Sequence, residues 1–284
     1  MLAIALSVCV ILFTAGSLLA VGLTVTPAGL AGPLRDRAFL LRTTVAGWIL
    51  GPAIALVLVG LIPIDRPYAA ALLLLSLAPG APFAPAMMQR ALADPAYIAA
   101  FMALTAVGTV VLMPLGVPLL IQGVSADPLA LARPLVLLVL LPLVAGVMVR
   151  HFAPGRAHDL QLPLGILTTV TGVALLLLVI VLYGRGVVDA VGSYAIATQI
   201  AFVMLVTLGT HAIGAGLVPE ERAALTVGMC SRNLGAALAP LAAVDADPRA
   251  LVMVVIAAPV TLVLSHFVAR RLAPPVPARH AGLT

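Results

Sequence analysis

A succession of apolar runs, each about twenty residues long and separated by short loops rich in Pro, Asp and Arg, constrains this chain more than any other feature. About twenty helical residues cross the ~30 Å hydrocarbon core of a bilayer. Lipid offers no partner for backbone N–H and C=O groups, so a run of this kind crosses only as a helix. The sequence predicts about nine spans: Leu2 to Val25, Ala38 to Leu61, Tyr68 to Leu92, Ala96 to Ile121, Leu131 to His151, Leu162 to Tyr183, Val191 to Val218, Ala223 to Val244 and Ala250 to Arg270. Hydrophobic residues make up 63% of the chain and charged residues 9%, a balance that excludes a soluble globule. The expected fold is therefore an all-α polytopic membrane protein. Residues 1–272 form one bundle and 273–284 a short tail carrying Pro274, Pro275 and Pro277. The first run lacks the basic start of a cleaved leader and is read as a span.

All fifteen basic residues are Arg, and they fall singly between apolar runs, so the net charge of +5 forms no nucleic-acid patch. Ten of them lie in loops on one side and four on the other, which predicts the amino terminus outside and the carboxyl terminus in the cytoplasm. The expected location is the cell membrane, the inner membrane of a bacterium. Cys9 and Cys230 are isolated in apolar runs and give neither a disulfide framework nor a metal-binding spacing. No cofactor is expected, and oligomeric state is left open.

Two runs cannot be regular helices. The third holds Ala78-Pro79-Gly80-Ala81-Pro82-Phe83-Ala84-Pro85, whose three prolines remove N–H donors and clash with the preceding turns. The eighth holds Met229-Cys230-Ser231-Arg232-Asn233-Leu234-Gly235. A guanidinium in mid-membrane costs at least ~2.5 kcal/mol on insertion scales, so Arg232 must face protein, water or a ligand. All ten acidic residues fall in loops or at span ends, which leaves Arg232 either an anionic ligand or backbone carbonyls as its partner. The two breaks lie five spans apart and run in opposite directions, the pattern of an inverted-repeat carrier with its site at the midplane. Half-helix N-termini would there present N–H groups to an anion.

The candidate substrate site therefore comprises Cys230, Ser231, Arg232, Asn233 and Thr226 on the eighth run and Pro79, Gly80 and Phe83 on the third. Thr105 and Thr109, one turn apart on the fourth, and His211 on the seventh join it. The plain structural roles of the last three are back-bonding to the helix for the threonines and neutral packing for the histidine. Met87 and Met88 read as packing, and Arg90 as a snorkelling side chain or the partner of Asp94.

These residues resemble the bile acid:sodium symporter family, as a divergent bacterial member. Gly22-Leu23-Thr24-Val25-Thr26-Pro27 is similar to that family's first-helix GLTLTP element, Pro52 to its second-helix proline, and Ala78-Pro79-Gly80 to its first break. Gly228-Met229 followed by Ala236-Ala237-Leu238-Ala239 is similar to its second break. The resemblance covers roughly Ser17 to Arg270. It implies a core of spans 2, 3, 4, 7, 8 and 9 around crossed broken helices, a panel of spans 1, 5 and 6, and transport of organic anions by alternating access. It also exposes departures. Where members with sodium sites carry Ser-Asn after the first break, this chain has Ala84-Pro85; their acidic residue two before Gly-Met is Thr226; their Gln-Asn pair is Cys230-Ser231. A hard cation needs oxygen ligands, so sodium coupling is not expected.

The resulting expectation is a secondary carrier of an organic anion in the lipid bilayer, not an enzyme, since the spans hold neither paired acids nor a nucleophile–base constellation. The alternative is a non-transporting sensor or interaction protein that retains the carrier fold.

Overall fold

The computed structural model describes residues 2–121, 127–243 and 247–273. Every regular element among them is helical. The long helices are α1 (Leu2–Thr24), α2 (Arg37–Leu61), α5 (Pro95–Leu120), α6 (Pro128–Phe152), α7 (Pro154–Asp189), α8 (Ala195–Ile213) and α11 (Pro248–Leu272). Among the described residues these seven are long and apolar enough to cross a membrane. The third and eighth runs are each divided, into α3 (Arg66–Ser76) and α4 (Ala84–Arg90), and into α9 (Pro219–Cys230) and α10 (Leu234–Ala243). The all-helical membrane architecture expected from the apolar runs is thus present. The carboxyl-terminal tail lies outside the described residues from 274 onward.

The acidic residues at span ends have a common local role. Asp36, Asp94, Asp127 and Asp247 cap the starts of α2, α5, α6 and α11, each accepting from an amide two residues on. In the last three the next residue is a proline, whose missing N–H would have had no helical partner and whose fixed φ suits the first turn. Asp-Pro therefore starts a span and leaves its carboxylate at the membrane edge.

Prolines inside spans are handled differently. In α2 a wide π-type turn at Ala46–Leu50 precedes Pro52, and in α6 another at Val136–Leu140 precedes Pro142. Each proline ring excludes a bond to the carbonyl four residues back, and the local widening absorbs the mismatch. Helix limits also depart from the sequence expectation. At 36 residues α7 is far longer than Leu162 to Tyr183, because Arg156, Asp159, Arg185 and Asp189 extend the helix beyond its apolar stretch. The eighth run begins four residues earlier than expected, at Pro219, which takes the first helical position.

Helix α1 packs chiefly on α6 and α7. Gly22 and Gly146 bring α1 and α6 into backbone contact, and a Cβ on Gly146 would lie 2.8 Å from the Gly22 Cα. Small residues allow such close approach in membranes, where dispersion rather than water expulsion drives helix association. The remaining helices gather around the divided segments, with α9 against α4, α5, α8 and α11, and α3 against α2, α10 and α11. At one end of the bundle Arg249 joins Asp65, at 3.0 Å, to Asp247, at 2.9 Å. The guanidinium holds the exposed Asp247 carboxyl below the usual carboxylate range, and so exposed a pair adds little stability.

The close contact makes a prediction. Gly146→Leu overfills it and should lower the thermal midpoint of the detergent-purified protein by at least about 3 °C, corresponding to an overpacking cost of roughly 1–3 kcal/mol. An unchanged midpoint would show that α1 and α6 are not in contact there.

Candidate functional site: the crossing of two divided helices

Helix α3 ends at Ser76 and α9 at Cys230, and the links that follow them cross antiparallel. The Asn233 amide donates to the Ala78 carbonyl at 2.8 Å, and the Gly80 amide donates to the Ser231 carbonyl at 3.2 Å. Pro79 stands opposite Arg232 in the pair that exchanges no hydrogen bond. Its missing N–H therefore costs nothing at this position. The Ser231 hydroxyl donates to the Gly228 carbonyl at 2.7 Å and accepts from the Ala81 amide at 3.0 Å. The Asn233 side-chain oxygen accepts from Ala236 N at 3.1 Å and caps α10. Polar groups freed by one break are thus satisfied largely by the other, as an apolar interior requires.

Gly80 is required twice over. Its φ of +81° is unfavourable for any residue with a Cβ, and a Cβ there would lie 2.7 Å from the Thr105 hydroxyl oxygen. Helix α2 also approaches through glycines. A Cβ on Gly47 would lie 3.2 Å from the Met229 side chain and 3.4 Å from that of Pro79.

Arg232 is completely buried. Its Nη1 donates to the Ser76 carbonyl at 3.5 Å, a long bond, and its Cζ lies 5.0 Å from the centre of the Phe202 ring. Among the described residues no carboxylate pairs with it. The charge rests on the negative end of the α3 dipole and on an aromatic face. Of the two partners the sequence left open, the backbone carbonyl is the one that Arg232 contacts here. Its Nε and Nη2 have no hydrogen-bond partner among the described residues.

The other candidates divide into those at the crossing and those away from it. Pro79, Gly80, Ser231 and Asn233 build it. Cys230 is buried beside the hydroxyls of Thr207 and Ser265. The hydroxyl of Thr226, one turn back on α9, is buried without a partner among the described residues. Thr105 donates to the Phe101 carbonyl at 2.8 Å, as expected of back-bonding. Thr109 does not back-bond, and its hydroxyl is buried without a partner among the described residues. A helical threonine divides between two χ1 wells, and only one brings the hydroxyl to the preceding turn. Phe83 is half-buried at the start of α4.

His211 lies nine residues beyond Phe202 on α8, about 13 Å along the axis at 1.5 Å per residue. Its carbonyl accepts from the Arg222 Nη2 at 2.8 Å, so it belongs to the helix end rather than the crossing. Arg90 bonds to His266 Nδ1 at 3.1 Å instead of pairing with Asp94, because α4 stops at Arg90 and Asp94 caps the next helix. Met87 and Met88 are buried packing residues.

Sequence reasoning missed three residues. Ser76 supplies the carbonyl and Phe202 the ring that hold Arg232, and neither carries a local signal. Gln199 is completely buried on α8, with both amide atoms lacking partners among the described residues. A lone amide inside an apolar run was signal enough to find it.

Among the described residues, seven apolar helices and two crossed, divided segments define an integral membrane protein of the kind that transports solutes. The model of the Sodium Bile acid symporter family matches residues 9–192, nearly two thirds of the chain, and the chain belongs to that family. No curated protein matches it.

Ser231→Ala would leave the buried Ala81 amide unpaired and should destabilise the protein by roughly 1–3 kcal/mol. Gly80→Ala should cost at least as much through its positive φ. Thermal unfolding of both variants against wild type checks the pair, and wild-type midpoints in both would contradict the crossing described above.

Proposed function

We propose that this protein carries an organic anion across the cell membrane by alternating access and without sodium coupling. The observation that carries the reading is the Arg232 guanidinium, fully buried at the crossing and bonded to a backbone carbonyl, with no carboxylate beside it among the described residues. A fixed cation there stabilises the negative end of α3 permanently, the service a bound metal ion would otherwise provide. The side chains where sodium-binding relatives place ligands point the same way. Ala84 and Pro85 offer no side-chain oxygen, and the Ser231 hydroxyl is already engaged by two backbone groups. Of those positions only the Thr226 hydroxyl remains free among the described residues, too little for a hard cation.

In this reading α2, α8, α11, α5 and the divided helices form the core, and α1, α6 and α7 the panel. The chief packing of α1 on α6 and α7 supports that division. The amino terminus faces outward and the carboxyl terminus the cytoplasm, as the arginine asymmetry argues.

Proteoliposomes test the proposal. Uptake of labelled organic anions should be saturable and unchanged when sodium is replaced by choline. Arg232→Ala should abolish uptake while the protein remains folded. A saturable sodium requirement would sink the sodium-independent mechanism, and wild-type uptake by the variant would sink the role of Arg232. Ligand stabilisation with no flux under any gradient would favour a sensor that retains the carrier fold.

A further inference from the structure

Of the seven apolar helices, α7 is the one least covered by the rest of the protein. Near its start the outer face carries an open groove of about 680 Å³. His158 and Gln161 line one end, Leu162, Ile166 and Val170 line the rest, and Gly165 lies midway. These positions recur every three or four residues, so they share one side of the helix. Val170 stands twelve residues beyond His158, about 18 Å along the axis at 1.5 Å per residue. That is close to half of the ~30 Å hydrocarbon core, the depth of one leaflet.

The groove changes character along its length. His158 and Gln161 make no side-chain hydrogen bond among the described residues, so their donors are available. Deeper in, the Thr169 hydroxyl is already engaged by the Gly165 carbonyl at 2.8 Å, and Thr168 donates to the same oxygen at 3.1 Å. What remains there is apolar, with Leu162, Ile166 and Val170 all exposed. A Cβ on Gly165 would meet nothing within 4 Å.

Positive charge gathers at the polar end. Arg150 and His151 stand in the last turn of α6, and Arg156 in the first turn of α7, two residues before His158. Asp159 is the one acidic residue between Arg150 and Val170. None of these groups is ion-paired among the described residues. The start of α7 adds the positive end of its dipole.

We propose that this groove binds one anionic phospholipid, its phosphate at His158 and Gln161 in the field of Arg150 and Arg156, and one acyl chain lying over Gly165. A partner helix would cover α7 along its whole apolar length. A groove one leaflet deep, basic and hydrogen-bonding at the membrane edge and apolar toward the midplane, has the dimensions and polarity of a lipid.

Native mass spectrometry of the full-length protein in detergent tests the site, with phosphatidylglycerol and phosphatidylcholine of identical acyl chains supplied equally. The wild type should retain one phosphatidylglycerol over phosphatidylcholine by about tenfold. Gly165→Leu fills the groove without a clash and improves helix propensity, so its lipid-free thermal midpoint should equal or exceed that of wild type. Its retention of phosphatidylglycerol should fall about tenfold. His158→Ala combined with Arg156→Gln leaves the apolar part intact and should lower the preference for phosphatidylglycerol about fivefold. Equal retention of both lipids by the wild type, or undiminished retention by Gly165→Leu, would overturn the proposal. An unchanged preference in the double variant would overturn the placement of the phosphate. A wild-type dimer that Gly165→Leu dissolves would assign the groove to a second copy of the chain and overturn the lipid.

Discussion

Two backbone hydrogen bonds, Asn233 to Ala78 and Gly80 to Ser231, carry the rest of the structure. A helix that stops leaves up to four unpaired carbonyls at its end, and the next helix begins with as many unpaired amides. Neither break could exist alone in an apolar interior. Each is possible because the other presents complementary groups, some 150 residues away along the chain, as the bond from Ala81 N to the Ser231 hydroxyl illustrates. Much of the surrounding sequence serves this contact. Gly47 admits Met229 and Pro79, Gly228 lies under the Phe101 ring, and Gly80 adopts a backbone conformation that a Cβ would oppose.

Arg232 adds a charge to this neutral framework, and its environment differs from that of every paired arginine at the ends of the bundle. Arg249 meets two exposed carboxylates, in a setting where water already solvates all three groups. Arg232 meets a carbonyl at the limit of hydrogen-bonding distance and the face of a ring. Neither repays full desolvation of a guanidinium. Two of its three guanidinium nitrogens have no partner among the described residues, so its burial is not accounted for by the contacts it makes.

The sequence made the apolar runs and both breaks legible because their signals are local: run length, loops rich in Pro, Asp and Arg, and three prolines at a spacing of three. It also located Arg232, since one charge in an apolar run stands out. What holds Arg232 was not legible. The Ser76 carbonyl belongs to a residue 156 positions away, and Phe202 reads as one more apolar side chain in α8. Arg90 illustrates the same limit. Its near neighbour Asp94 looked like a partner, yet the break between helices gave Asp94 to the α5 cap and the fold brought His266 to Arg90 across 176 residues. His211 lies apart from the crossing, because its run meets Arg232 only at Phe202, two and a half turns away. Gln199 was legible and overlooked.

The crossing also limits how the protein can move. Its bonds run between the two links, so opening it would expose several buried polar groups together, each at roughly 1–3 kcal/mol. The links are therefore held to each other as one piece. Around them, the contacts over the guanidinium are of another kind: the Phe202 ring on α8 and the Gly51 backbone on α2, neither hydrogen-bonded to it. Dispersion and ring contacts of this sort slide with little loss, whereas hydrogen bonds in an apolar interior do not. Arg232 is thus closed off by α2 and α8 through contacts that carry no hydrogen bond, while α1 meets the crossing where Thr14 lies against Gly235.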